Sequence, residues 1–190
     1  RPIAGLADSK KLTARRREQL FLEIRDNALC YAVAQCSREE IDELNILQAS
    51  LLSMTRAIEA LAITPHRVIV DGNRCPQTDL PVQAIVKGDL TEPAISAASI
   101  LAKVTRDRQM VELHQEYPQF GFDQHKGYPT KVHQERLLAF GVTGHHRLSY
   151  RPVAELGMPA IALTDQSNMF AMVKFYRAAI AKGIKPIFGV

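Results

Sequence analysis

The chain has 190 residues, 46% hydrophobic and 23% charged, the balance of a globular protein rather than a disordered tail. That length buries a core without disulfide or metal staples, and no run approaches the roughly 18 apolar residues of a helical membrane span. A net charge of +4 allows a nucleic-acid partner without requiring one, while 6% aromatic residues and no Trp argue against a base-stacking platform for single strands.

Residues 1–12 read as a loop with Pro2, Gly5 and the polar run Asp8-Ser9-Lys10-Lys11. Thr13 is placed to cap a helix with Arg15, Arg16 and Arg17 in its first turn and Leu20, Ile24 and Ala28 on one face. Three arginines there oppose the macrodipole, so they are either a solvated basic face or a contact for a nucleic-acid backbone. Leu29 to Cys36 reads as a short β-like run. Ser37-Arg38-Glu39-Glu40 is a capping box, and Ile41, Leu44, Leu47, Leu51, Met54 and Ile58 carry a helical period on to about Leu61.

Val68-Ile69-Val70 is a buried strand running into Asp71-Gly72-Asn73, and residues 82–86 form a second strand running into Lys87-Gly88-Asp89. Pro93 opens a helix to about Tyr117 whose first half is small and polar, so that a backbone or a ligand can approach closely. Residues 118–129 form a loop, and Thr130 caps a helix that stops at Gly141. From Ala154 to Val190 the pattern changes to a helix–strand–helix–strand series, too short for an independent core.

Asp71 and Asp89 sit where strands end, the place where ligands and catalytic groups collect in α/β sheets. A lone aspartate there is a turn former as readily as a ligand; two of them beside glycines point to a shared divalent cation. Ser99 and Lys103 share a helix face, His125, Lys126, Gly127 and Tyr128 lie in the following loop, and His145, His146 and Arg147 come later, a set suited to positioning phosphate. His66, His114 and His133 read as surface or helix residues. Cys30, Cys36 and Cys75 form no CxxC pair, so neither a disulfide framework nor a structural zinc site is expected. No charged stretch leads into an apolar run of the kind a secretory signal has, and a cytoplasmic chain is expected.

The segments Asp8-Ser9-Lys10-Lys11-Leu12, Ile41-Asp42-Glu43-Leu44-Asn45-Ile46-Leu47, Val70-Asp71-Gly72-Asn73, Lys87-Gly88-Asp89, Ser96 to Asp107, His125-Lys126-Gly127-Tyr128 and His145-His146-Arg147-Leu148-Ser149 occur in this order. Together they resemble bacterial ribonuclease HII over about residues 1–153. The resemblance implies an α/β, ribonuclease-H-like mixed sheet flanked by helices. The activity implied is hydrolysis of the RNA strand of RNA–DNA hybrids and nicking 5′ of a single ribonucleotide in DNA. It implies two Mn²⁺ or Mg²⁺ ions held by four carboxylates, of which Asp71 and Asp89 match two. Tyr128 matches the tyrosine that packs on the sugar at the RNA–DNA junction. Lys10, Ser99, Lys103, His125 and Lys126 match positions near the substrate.

The family's opening Asp-Glu-x-Gly-Arg-Gly motif, which supplies the other two carboxylates, has no counterpart here, so the first strands of the sheet are expected to be missing and activity to be impaired. Residue 1 is Arg rather than Met, and neither end is expected to be a natural terminus. Residues 154–190, from Ala154-Glu155-Leu156-Gly157-Met158-Pro159 through Thr164-Asp165 to Gly183-Ile184-Lys185-Pro186, resemble the PHP domain of the DNA polymerase III alpha subunit. Gln166 stands where metal-binding relatives often have His, which puts Asp165 in doubt as a ligand. The expected organisation is therefore a ribonuclease-like part, 1–153, joined to a partial PHP-like part, 154–190. The expected partners are RNA–DNA hybrids or ribonucleotide-containing duplexes, met by a monomer without membrane contact. The rival readings are a binding module without turnover, a non-functional fusion fragment, and a polymerase-associated fragment.

Overall fold

The computed structural model describes residues 3–150, 153, 160–163 and 185–188. The chain divides into two compact units, Arg1–His133 and Gln134–Val190.

In the first unit the Thr13 hydroxyl accepts the Arg16 N–H at 3.2 Å and starts helix α1, Ala14–Asn27. Leu20, Phe21 and Ile24 recur at helical spacing and pack on Ile100, Leu101 and Val104 of the long helix α5, Pro93–Glu116. Leu20 and Ile100 are fully buried, and Ile3, Leu6, Leu12 and Ala97 close over this core. Burial of each such side chain contributes about 1.5–3 kcal/mol, so the α1–α5 contact is the main apolar anchor for the loop that precedes it.

Two sequence expectations need correction between these helices. Residues 28–36 alternate between half-buried even and exposed odd positions, as in a strand, yet they join no ladder among the described residues. Their period of two is local, whereas a strand needs a partner for its backbone groups. The single long helix expected after Ser37 is two helices, α2, Arg38–Leu44, and α3, Ile46–Glu59. Asn45 breaks them: its backbone turns to φ 71°, and its side chain accepts the Leu47 and Gln48 N–H groups. The short polar side chain competes with the helical backbone and wins at one position without disturbing the apolar stripe on either side. The Ser37–Glu40 capping box forms in full.

Strand β1, Val68–Asp71, pairs in parallel with β2, Val82–Ile85, with Asp71 opposite Ile85. A one-turn helix α4, Gly88–Thr91, follows and leads into α5. The predicted loop 118–129 contains a 3₁₀ turn, Pro118–Phe120, and a one-turn helix α6, Phe122–His125. Helix α7, Lys131–Phe140, begins after Thr130, whose hydroxyl accepts the His133 N–H, and stops at Gly141 with φ 75°. In the second unit the backbones of β3, Ala160–Leu163, and β4, Lys185–Phe188, pair in parallel. The helix expected between them, with Asp165 and Gln166, lies outside the described residues. No helix among the described residues is long and apolar enough to cross a membrane.

Candidate active site

The apolar run of β1 delivers Asp71 to the end of the strand, where its carboxylate Oδ1 accepts the Gly88 N–H at 2.9 Å. Lys87 adopts a left-handed turn with φ 58° after β2. Gly88 then passes so close to α5 that a Cβ there would stand 2.5 Å from Ile95 Cδ1 and 3.3 Å from Ile85 Cβ. A larger residue here would require the Ile95 side chain to move. Asp89 therefore sits in the first turn of α4 rather than on the strand, and its carbonyl accepts the Ser96 hydroxyl at 2.8 Å. The Asp71 carboxylate is thus bonded to the residue immediately before Asp89, across parallel neighbouring strands. Among the described residues, no group of three or more His, Cys, Asp or Glu side chains could hold a metal ion.

A second cluster lies further along α5. Ser96, Ser99, Lys103 and Asp107 fall at intervals of three and four residues, so one helix face carries them all. The Ser99 hydroxyl meets that of buried Ser9 at 2.7 Å. Arg17 reaches back from α1 and donates through Nη1 to the carbonyls of Ser9 at 2.9 Å and Leu12 at 2.6 Å. Arg16 likewise binds the Ala4 carbonyl at 3.0 Å. Two of the three arginines thus hold their own loop. The Asp107 carboxylate takes Lys103 Nζ at 2.5 Å on one oxygen and faces Arg17 Nη2 at 3.7 Å on the other. Lys103 Nζ lies 5.2 Å from the centre of the Tyr128 ring, a cation–π arrangement, and Tyr128 is itself exposed.

The remaining expected residues are placed differently. Lys10 is exposed, and its backbone N–H donates to Asp8 Oδ1 at 2.9 Å. Lys126 Nζ donates to the Asp123 carbonyl at 2.5 Å. His125 is buried: its Nε2 bonds the Phe120 carbonyl at 2.8 Å and its Nδ1 accepts the Gly127 N–H at 3.2 Å. A carbonyl only accepts, so the proton sits on Nε2. His133 is buried too and stacks on His125 with ring centres 4.3 Å apart, while its Nδ1 donates to the Tyr128 carbonyl at 3.0 Å. Burial first, and then the His125 ring, push the His133 imidazole below its ordinary pKa, against the opposing effect of the Tyr128 carbonyl. The two rings hold the Lys126-Gly127-Tyr128 turn from beneath. From the sequence Arg17 reads as part of a basic face or a nucleic-acid contact and His133 as a surface or helix residue, and Asp107 has no role of its own; the Lys103–Asp107 spacing was the one local signal for their cluster.

Paired parallel strands that bring one aspartate to a strand end and another to the short helix that follows, beside a long helix lined with hydroxyls and charge, place the protein in the ribonuclease-H-like α/β class. The structure aligns with the crystal structure of ribonuclease H2 from Pyrococcus horikoshii OT3 with a TM-score of 0.67, at 29% identity over 80% of each chain. The sequence model of ribonuclease HII matches residues 2–153. The ribonuclease HII of Verminephrobacter eiseniae is 61% identical over 80% of this chain and 73% of its own length. That of Shewanella amazonensis is 58% identical over 82% and 75%. The chain belongs to the ribonuclease HII family, a family of hydrolases. The model of the PHP domain matches residues 131–190, overlapping the ribonuclease match.

Proposed function

We propose that residues 1–153 bind duplexes in which RNA meets DNA, hydrolyse the RNA strand of hybrids, and nick 5′ of a single ribonucleotide, in the service of DNA replication and repair. The observation that supports this best is the Asp71 carboxylate bonded to the N–H beside Asp89, at the ends of paired parallel strands. One Asp71 oxygen takes that bond, and the other has no hydrogen bond among the described residues. Oxygen donors of this kind suit Mg²⁺ or Mn²⁺, which bind through one or two carboxylates with water and phosphate completing the shell. When bound, such an ion supplies Lewis acidity at the scissile phosphate. Asp71 and Asp89 would hold it, Lys10, Ser99 and Lys103 would steady the nucleic-acid backbone, and Tyr128 would pack on the sugar whose 2′-OH marks the ribonucleotide. His125 and Lys126 would shape the turn that presents Tyr128.

Two carboxylates are a short donor set for two ions, so turnover by this chain is expected to be weak. A binder with little turnover is the second reading, supported by the pre-organised Lys103–Asp107–Arg17 cluster, in which two cations share one carboxylate. We assign the chain to a cytoplasmic monomer with a partial PHP-like part at 154–190. The test is cleavage of a DNA duplex carrying one ribonucleotide, with Mn²⁺ or Mg²⁺. Weak cleavage 5′ of the ribonucleotide, removed by Asp71→Asn, is expected. Cleavage that survives Asp71→Asn overturns the site, and cleavage at the rate of a full-length relative overturns the impairment.

A further inference from the structure

We propose that Asp107 is a positioning residue for ribonucleotide recognition: it holds the Lys103 ammonium beside Tyr128 while Arg17 fixes the Ser9 loop. The proposal rests on the reading of Lys103 and Tyr128 as substrate contacts. Asp107 divides its two oxygens between two cations from different helices, Lys103 at 2.5 Å and Arg17 at 3.7 Å. All three side chains are mostly buried at this point. Each cation has a further task. Arg17 ties down the Ser9 and Leu12 carbonyls, and Lys103 stands over the Tyr128 ring. An ammonium has three donors, so pairing with Asp107 aims the group and leaves two donors for a phosphate oxygen.

The two cations would respond unequally to loss of the carboxylate. Arg17 stays anchored by two carbonyls. Lys103 is a point charge on a flexible four-carbon stem with no other hydrogen-bond partner among the described residues, so it swings away from the arginine. What is lost is then the alignment of Lys103 with Tyr128, while the α1–α5 core, built from Leu20, Ile24, Ile100 and Val104, is untouched. A purely structural tie between α1 and α5 would behave oppositely, lowering stability and leaving discrimination alone.

The experiment uses the full chain and two DNA duplexes that differ by one 2′-hydroxyl, with affinities measured by fluorescence anisotropy without divalent cation. For Asp107→Asn the preference for the ribonucleotide duplex is expected to fall by a factor of about 2–5, the equivalent of one exposed cation–π contact. Affinity for the all-DNA duplex should hold or tighten, because a negative charge has gone. Asp107→Glu should retain the preference. In a Lys103→Ala background, Asp107→Asn should change nothing further. An unchanged preference in Asp107→Asn overturns the proposal, as does an equal loss in the Lys103→Ala background. A parent chain with no preference, and no response to Tyr128→Ala, overturns the site reading and this inference with it. That failure is recognised before any Asp107 variant is made.

Discussion

Helix α5 serves two clusters that are held in different ways. Near its start, Asp71 and Asp89 depend on a tight glycine approach and one carboxylate-to-backbone bond. Two to four turns later, Ser99, Lys103 and Asp107 are tied to Ser9 and Arg17 by hydroxyl, carbonyl and ionic contacts, one carboxylate serving two cations. The first cluster has the donors for chemistry but few of them. The second is organised before any substrate arrives. Binding and turnover are therefore separable here, and variants should move one without the other.

The largest effect comes from breaking the frame of the second cluster. Leu20→Ala removes a fully buried side chain from the α1–α5 contact and should cost about 2–5 kcal/mol. Urea denaturation measures it directly. The loop that carries Ser9 and Lys10 should loosen with α1, because Arg17 of that helix holds it. Next in size is the divergence between Asp71→Asn and Lys103→Ala. Changes around bound metals alone cost about 10–100-fold, so loss of a ligand should reduce cleavage by about 100-fold or more. Duplex affinity should stay within about twofold of the parent, since phosphate contacts carry most of it. Lys103→Ala should weaken affinity and reduce its salt dependence by about one counterion. If Asp71→Asn weakened binding as much as Lys103→Ala, the two clusters would be one. A smaller change, Ser37→Ala, removes the capping box at α2, far from both clusters in sequence, and should cost about 1 kcal/mol in thermal unfolding with binding unaltered.

The same contrast explains what was legible in the sequence. The Thr13 cap, the Ser37 box, Pro93 at the start of α5 and the Gly141 stop were all readable, because each is satisfied within a few residues. Strand β1, which ends in Asp71, and strand β2, which leads toward Asp89, were readable from short β-like runs followed by glycine. Asn45 was not, since its side chain overrides a periodicity that continues unbroken on both sides. The 28–36 run showed strand alternation, but pairing depends on distant chain. Asp107 and Arg17 meet only because α1 packs on α5, and no local pattern reports a contact between helices so far apart in sequence. The expectation that His133 is a surface or helix residue holds for the helix; the ring is buried, stacked on His125 and edge-on to Phe122, a contact no local pattern reports.

That burial yields the smallest prediction, a slope rather than a loss. The folded chain holds the His133 ring neutral, with its Nδ1 proton committed to the Tyr128 carbonyl and its face against His125. The unfolded chain titrates near the ordinary histidine value of about 6.5. Below that value the unfolded state binds more protons than the folded one, so stability rises with pH there. The His133 contribution is fully present above about pH 6.5 and is lost as the pH falls through the lowered folded value. Thermal melts from pH 7.5 to 5.0 should fall less steeply in His133→Gln, which keeps an amide donor for the Tyr128 carbonyl and does not titrate. Ribonucleotide preference in the parent chain should hold while the folded ring stays neutral and fall only as the pH drops through its lowered value, because the turn that presents Tyr128 rests on this ring. An identical slope in parent and variant would separate the histidine pair from the Tyr128 turn and leave the second cluster organised by Asp107 and Arg17 alone.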